Sequence, residues 1–212
     1  MNSRILTISI GACLLAASTY ANAATPEKEG WYLGAGIGYS HYKVPKPEEI
    51  YEDGELKNSG TGVKLYGGYQ FNNIWAVEFE YVEFGTSTYK THASAYPSNE
   101  IRITSSGIGI SGVGNLPLSN EFSVFGKLGA LTRFSRVHGQ KDYVEGGPEN
   151  QITSQTYKST SIAPMLGLGA EYHLTQNVSL RAEYEYFGKS KLKDTDFKLG
   201  NELLSIGVRY NF

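Results

Sequence analysis

The last nine residues of the chain, Leu204–Phe212, read Leu-Ser-Ile-Gly-Val-Arg-Tyr-Asn-Phe, and the interpretation of the fold starts from their pattern. Apolar side chains recur at every second position, with small or polar side chains between them. Because successive side chains of a β-strand point to opposite faces, this alternation predicts a strand with one apolar and one polar face. The apolar face turns inward in a soluble sandwich and outward in a closed barrel in lipid, so this strand alone leaves both open.

Seven further segments alternate in the same way: 31–44, 61–71, 74–85, 101–116, 122–134, 160–174 and 178–189. Short connections near residues 72–73, 115–121 and 175–177 alternate along the chain with long polar segments at 44–60, 86–100, 135–159 and 190–200. Every second connection is long in bacterial outer-membrane barrels. The pattern therefore predicts an all-β, eight-stranded antiparallel transmembrane up-and-down barrel. Pro164 has no amide donor, so we expect it near a strand end or a bulge.

Aromatic residues favour a membrane location over a soluble one. Several aromatics begin upward strands or close downward ones, which would place them at one height as a girdle: Trp31, Phe71, Trp75, Phe122 and Tyr172. No segment after residue 23 is apolar for the roughly 20 residues that a spanning helix needs, so a membrane-spanning chain must form a barrel. A soluble lipocalin-like barrel is the alternative, and it would turn the aromatic face inward.

Residues 1–23 have the pattern of a secretory signal peptide, with Arg4, an apolar core and a small-residue cleavage site at Ala21-Asn22-Ala23. A lipoprotein cleavage box ending at Cys13 is the alternative. Removing residues 1–23 leaves one predicted barrel domain, residues 24–212, without cysteine. Its formal net charge is about −3, since Arg4 is the only charged residue lost from a chain of net charge −2. This balance gives no electrostatic basis for nucleic-acid binding.

The inward positions of the predicted strands carry many charges: Lys64, Glu78, Glu80, Lys127, Glu171, Arg181, Glu183, Glu185 and Arg209. A lone buried charge costs several kcal/mol, so the near balance of signs predicts ion pairs across the lumen. An eight-stranded barrel is just wide enough for its own side chains. We therefore predict a polar plug, with a low-conductance porin as the alternative.

Three runs, residues 30–39, 178–186 and 201–212, are similar to the opening, seventh and closing strands of the OmpA-like outer-membrane β-barrels. The resemblance implies a role in envelope integrity, with outer-membrane lipid and lipopolysaccharide as partners. It also implies that the assembly machinery reads the terminal aromatics Tyr210 and Phe212. Host or envelope proteins are candidate partners of the loops, which makes a host-surface adhesin a further alternative. The family's peptidoglycan-binding domain is expected to be absent, because the sequence stops at the barrel.

The same resemblance implies an interior network in which one arginine exchanges carboxylate partners. The residues that match it by strand position are Arg181, Glu78, Lys127 and Glu171. A fourth-strand lysine of that network has no counterpart, because this face carries Gly107, Ser111 and Val113.

Enzymatic and ligand-binding motifs are weak. Gly34-Ala35-Gly36-Ile37-Gly38 suggests a nucleotide loop, but no helix follows it. His92-Ala93-Ser94 is similar to the His-x-Ser of PagL-type deacylases, but it lies in a polar loop segment where nothing orients the pair. The four histidines are not at metal-ligand spacing. We therefore predict no catalytic, cofactor or metal site.

Overall fold

The computed structural model describes residues 29–43, 54–91, 99–142, 152–191 and 198–212. Within these ranges the chain forms nine strands: β1 Gly30–Lys43, β2 Gly54–Lys57, β3 Ser59–Gln70, β4 Trp75–Thr91, β5 Asn99–Pro117, β6 Phe122–Asp142, β7 Ile152–His173, β8 Val178–Lys191 and β9 Lys198–Asn211. No helix among the described residues is long and apolar enough to cross a membrane. The predicted signal peptide and Cys13 lie outside the described ranges.

The sheet closes on itself. β1 pairs with β3 on one side and with β9 on the other, and β4 pairs with β5 to complete the circle. β2 and β3 both pair with β4, one beyond the other, so together they occupy one position in the wall and are interrupted at Asn58. All pairings are antiparallel. When β2 and β3 are counted as one position, each strand pairs with the strands before and after it in the sequence, and β1 pairs with β9. The predicted eight-stranded antiparallel barrel is confirmed.

The predicted two-faced alternation is also confirmed. In β6, Leu128 is 68% exposed, whereas Leu131 on the opposite face is completely buried. Trp31 and Trp75 face outward and are 65% and 60% exposed. A soluble lipocalin-like barrel would bury such side chains in its centre, so the outward aromatic face excludes that packing.

Glycines make room for the large side chains that fill the interior. A Cβ on Gly34 would lie 2.2 Å from Cζ of Tyr66, and a Cβ on Gly68 would lie 2.5 Å from Cζ of Tyr32. In both cases the ring comes from a neighbouring strand. Since packed interiors leave few voids, each ring needs a position without a side chain beside it. The alternating glycines seen in the sequence are therefore required by the packing of a narrow barrel.

Three short turns lie at one end of the barrel, called here the turn end. In each turn, one side-chain oxygen accepts hydrogen bonds from the backbone N–H groups two and three residues later, at 2.9 to 3.3 Å. The accepting atoms are Asn72 Oδ1, Ser119 Oγ and Thr175 Oγ1. Such local bonds are the reason that Asn, Ser and Thr favour turns.

At the opposite end, called here the loop end, the predicted loop bounds are wrong. The strands run further than the alternation indicated: β4 continues to Thr91, β6 continues to Asp142, and β7 begins at Ile152. β2 lies within the predicted loop 44–60, and β8 and β9 enter the predicted loop 190–200. Beyond the apolar belt, a strand can face water on both sides and then loses the apolar alternation from which strands are predicted.

Pro164, predicted near a strand end or a bulge, lies in the interior of β7 and not at its end. The neighbouring strand β8 is irregular there, since its register against β9 shifts between Phe187 and Ser190. Pro164 is opposite Ala130 of β6. On the other side, pairing of β7 with β8 ends at Met165 and Phe187. Proline is tolerated where its missing N–H is not needed for a ladder, and Pro164 lies just past the last described β7–β8 pair.

Candidate functional site: the charged lumen

Lys127 lies at the centre of the lumen and contacts four carboxylates. Its Nζ lies 2.8 Å from Glu78 Oε1, 2.6 Å from Glu80 Oε2, 3.1 Å from Glu183 Oε1 and 2.7 Å from Glu185 Oε1. These glutamates come from β4 and β8, each two strands away from β6. The ammonium group therefore joins two opposite parts of the wall.

Small residues on the strands between them allow this reach. A Cβ on Gly109 of β5 would lie 3.2 Å from Cγ of Glu80. A Cβ on Gly167 of β7 would lie 3.3 Å from Oε1 of Glu183 and 3.3 Å from Cβ of Lys127. The long charged side chains therefore cross over glycines on their way to the centre.

Two further cations extend the network. Lys64 Nζ lies 2.8 Å from Glu185 Oε2 and also contacts Glu183. Arg181 donates from Nη1 to Glu78 Oε2 at 2.8 Å, and its Nε lies 3.3 Å from Glu183 Oε2. Every one of these side chains is at most 2% exposed. Buried charges of this kind are stable only when paired, and here each has at least two partners.

Arg209 occupies the layer nearest the turn end. Its Nη1 donates to Glu171 Oε2 at 3.1 Å, and its Nη2 donates to Gln70 Oε1 at 3.1 Å. Arg181 Nη1 lies 3.5 Å from Glu171 Oε1, so Glu171 links the two arginines. All nine predicted inward charges thus belong to one connected network.

Aromatic rings form part of the wall around the arginines, which sequence reasoning did not identify. Arg181 Cζ lies 4.0 Å from the centroid of Phe125 and 4.7 Å from that of Tyr66. Arg209 Cζ lies 3.9 Å from the centroid of Tyr32. Guanidinium groups stack favourably on aromatic faces, so these rings hold the arginines in place between their carboxylates. The sequence does contain a signal for these rings, because Phe125 and Tyr66 lie at inward positions of their strands.

An apolar layer lies beside the charged network on its loop-end side. It consists of completely buried side chains: Tyr42, Val82, Phe84, Leu131, Met165, Phe187 and Leu203. The rings of Phe84 and Phe187 meet edge to face with centroids 4.9 Å apart. The period-two alternation gives Val82, Leu131 and Met165 inward positions, but it does not predict that they meet as a layer. Constrictions lined by apolar side chains disfavour the passage of water and ions.

Arg133 is a buried cation that the predicted network omitted. It lies on β6 at an inward position beyond Leu131, and its Nη2 donates to the carbonyl oxygens of Phe187 and Gly188 at 3.5 and 3.4 Å. The predicted network holds four cations and five carboxylates. Arg133 brings the buried cations among the described residues to five, and it lies beyond Leu131 of the apolar layer.

The predicted girdle aromatics lie together at the turn end of the outer face. Trp31 packs edge to face on Tyr69 with centroids 5.2 Å apart, and Tyr69 packs on Phe71 at 5.3 Å. Trp75, Phe122 and Tyr172 begin or close the strands beside the same turns. Tyr210 and Phe212 pack edge to face at 5.1 Å, and Phe212 N–H donates to the Trp31 carbonyl at 3.0 Å. The predicted assembly signal is therefore folded against the first strand.

The hypothetical deacylase motif at His92-Ala93-Ser94 lies outside the described residues. Within the described ranges, no group of three His, Cys, Asp or Glu side chains is placed to hold a metal ion.

Comparison with known families agrees with this geometry. The profile of the outer membrane protein beta-barrel domain matches residues 10–212. The chain belongs to this family. Outer membrane protein A of Yersinia pseudotuberculosis is 28% identical to this chain over 206 residues, and that of Salmonella typhi is 29% identical over 208.

Each of these alignments covers 97% of this chain and 54% of the relative, so the chain spans about half the length of the curated relatives that it matches. Among solved structures, neisserial surface protein A has a TM-score of 0.51 and 25% identity, covering 86% of this chain and 97% of that one. Membership of the outer membrane protein beta-barrel domain family, with a barrel of the outer-membrane type, is thereby shown for the chain.

Proposed function

We propose that this barrel is a plugged structural protein that supports the integrity of the outer membrane and presents its loops for interaction. The observation that carries the proposal is the set of buried side chains in the lumen, where Lys127 and four carboxylates lie next to the apolar layer. An ion would have to displace both groups of side chains to pass. A barrel with its lumen occupied in this way is suited to a structural role in a bilayer.

The proposal includes an orientation. The aromatic turn end faces the periplasm with both chain termini, and the loop end faces the exterior. The short turns and the ring of outward aromatics support this arrangement, because outer-membrane barrels have short periplasmic turns and interfacial aromatics. Lipid and lipopolysaccharide then surround the belt, and the assembly machinery recognises Tyr210 and Phe212.

Planar-bilayer recording tests the plug. We expect the purified, refolded wild-type barrel to give no reproducible conductance steps, because the apolar layer around Leu131 is a hydrophobic constriction that disfavours water and ions. Protease protection of the same protein in vesicles controls for insertion. Reproducible steps that change in amplitude on Arg181→Ala would instead establish the low-conductance porin.

A genetic experiment tests the envelope role. A strain that lacks the protein should become more sensitive to detergent, and expression of the wild-type chain should restore resistance. Unchanged detergent sensitivity in the deletion strain would contradict the proposed structural role in the envelope.

The adhesin alternative is favoured by one observation, the joint extension of β6 and β7 to Asp142 and Ile152 beyond the apolar belt. Deleting residues 136–158 tests it. Host-cell binding that persists in this deletion variant would exclude that hairpin as an adhesive surface.

A further inference from the structure

The three short turns at the turn end repeat one structure. Each turn has four residues, 71–74, 118–121 and 174–177, between two consecutive strands. The N–H of the first residue donates to the carbonyl oxygen of the fourth residue after it, at 2.9 Å in every turn. The donor and acceptor pairs are Phe71 and Trp75, Leu118 and Phe122, and Leu174 and Val178. Equivalent positions of the three turns can therefore be compared directly.

The first residue of every turn is apolar and about half exposed. Phe71, Leu118 and Leu174 are 50%, 56% and 52% exposed, and each continues the outward face of the strand before it. These three residues are called here the apolar rim. A single exposed leucine is ordinary on a protein surface, whereas an extended exposed apolar surface marks an interaction site. The same exposed position in three turns extends the lipid-facing surface of the barrel to its turns.

The apolar rim lies at the height of the lipid headgroups. Leu174 is two residues beyond Tyr172 of the predicted girdle, which is about 7 Å along the chain in an extended strand. At the usual strand tilt this is about 5 Å along the membrane normal. The headgroup region extends roughly 5–8 Å beyond the hydrocarbon core on each side. A girdle at the boundary of the hydrocarbon core therefore places the apolar rim inside the headgroup region.

The two ends of the barrel differ in charge. Glu121 is the one charged residue in the three turns, and its Oε2 accepts a hydrogen bond from the Tyr172 hydroxyl at 3.3 Å. At the loop end, Lys43 and Glu202 form an ion pair on the outer face. Charged side chains on a lipid-facing surface cost little near the interface and more at greater depth. The low charge of the turns is therefore compatible with contact between the turns and lipid.

The turns pair their backbone donors internally. Besides the bond from the first residue, the side chains of Asn72, Ser119 and Thr175 each accept from two further N–H groups. An unpaired backbone group is costly where water is scarce. Because at least three N–H groups in each turn are paired without water, the turns can enter the headgroup region without losing these hydrogen bonds.

We propose that the apolar rim is inserted into the headgroup region of the phospholipid leaflet at the turn end, so that lipid covers the turns. The leaflet is the partner because the apolar rim continues the lipid-facing surface, and because the turns offer one carboxylate and no cation to a charged partner. The proposal rests on the orientation given under Proposed function only in calling this leaflet periplasmic. Insertion itself does not depend on that orientation.

Nitroxide labels in phospholipid vesicles test the insertion. Single cysteines replace Leu118 or Leu174 in the full chain carrying Cys13→Ser, and the refolded protein is studied in vesicles without any other protein. The ratio of collisions with oxygen to collisions with a water-soluble nickel chelate rises as a label leaves water. We expect this ratio to exceed that of the same variant unfolded in urea and to approach that of a label at Leu168, a lipid-facing residue that is 61% exposed.

Urea unfolding in the same vesicles provides a second measurement. L118N/L174N should raise the equilibrium constant for unfolding by at least about fivefold, because burying one leucine completely is worth about tenfold or more and each of these is half exposed. N73S/Q176S changes the third residue of two turns from one polar side chain to another. This control should change the constant by less than about twofold.

Two outcomes would overturn the proposal. The first is a collision ratio at both Leu118 and Leu174 equal to that of the unfolded chain, which would leave the apolar rim in water for a protein partner to cover. The second is an equal effect of L118N/L174N and N73S/Q176S on unfolding. The gel shift between unheated and boiled protein shows that each variant has folded. Protease protection in vesicles reports the orientation separately, so an inverted barrel would change the name of the leaflet but not the insertion.

Discussion

Replacing Lys127 by methionine is expected to destabilise the barrel by about 3–5 kcal/mol, the usual cost of breaking a buried ion pair by removing one partner. The substitution keeps the volume of the side chain but leaves four carboxylates around one point without their shared cation. That loss is a large part of the 5–15 kcal/mol by which a typical domain is stable. Denaturant unfolding in detergent micelles, followed by the fluorescence of Trp31 and Trp75, measures it.

Three variants make this experiment specific. Lys64→Met removes a cation that contacts two carboxylates, so its cost should be smaller. Lys189→Met removes an exposed charge and should have almost no effect. Glu80→Gln added to Lys127→Met should recover part of the loss, since Glu80 Oε1 has no hydrogen-bond partner and its Oε2 contacts Lys127. An unfolding midpoint of Lys127→Met equal to that of the wild type would contradict a structural role for the network.

The alternation was sufficient to predict the inward charges but not their partners. Only the family resemblance pointed to a network, and only for Arg181, Glu78, Lys127 and Glu171, which the structure does join. Once one residue of a strand is assigned to a face, period two assigns all the others, which is why every predicted charge from Lys64 to Arg209 lies in the lumen. The pairing depends on the stagger of the closed barrel, which a single strand does not contain. Lys127 meets glutamates of β4 and β8, and neither strand is a neighbour of β6.

Two features at the loop end escaped prediction for a related reason. The apolar layer is built from residues that are isolated along the sequence, such as Leu131 and Leu203, and only barrel closure brings them together. Near the loop end the strands carry polar residues on both faces, so their composition is similar to that of loops. Arg133 also lies at an inward position of its strand. The prediction of ion pairs rested on the near balance of charges in one network, which gave no reason to include a cation beyond the apolar layer.

Replacing Gly207 by alanine is expected to prevent correct closure of the barrel. A Cβ on Gly207 of β9 would lie 2.3 Å from the carbonyl oxygen of Ala35 and 2.9 Å from Cα of Gly36 on β1. Both are backbone atoms, so no rotamer change can relieve the clash, and the closing pair β1–β9 must separate or shift. Overpacking usually costs 1–3 kcal/mol, and we expect about 3 kcal/mol or more at a seam formed by backbone. Gel-shift folding yield and denaturant unfolding measure the effect.

Gly112 is the matched control, because a Cβ there would meet its nearest neighbour, the carbonyl oxygen of Leu128, at 4.0 Å. Gly112→Ala should therefore change stability by less than about 0.5 kcal/mol. Gly38→Ala tests the same seam from the other strand, since its Cβ would lie 2.1 Å from the Leu204 carbonyl oxygen. If Gly207→Ala folded as well as Gly112→Ala, the β1–β9 register would be looser than the structure shows. The seam would then have to be closed by side-chain packing rather than by the close approach of two backbones.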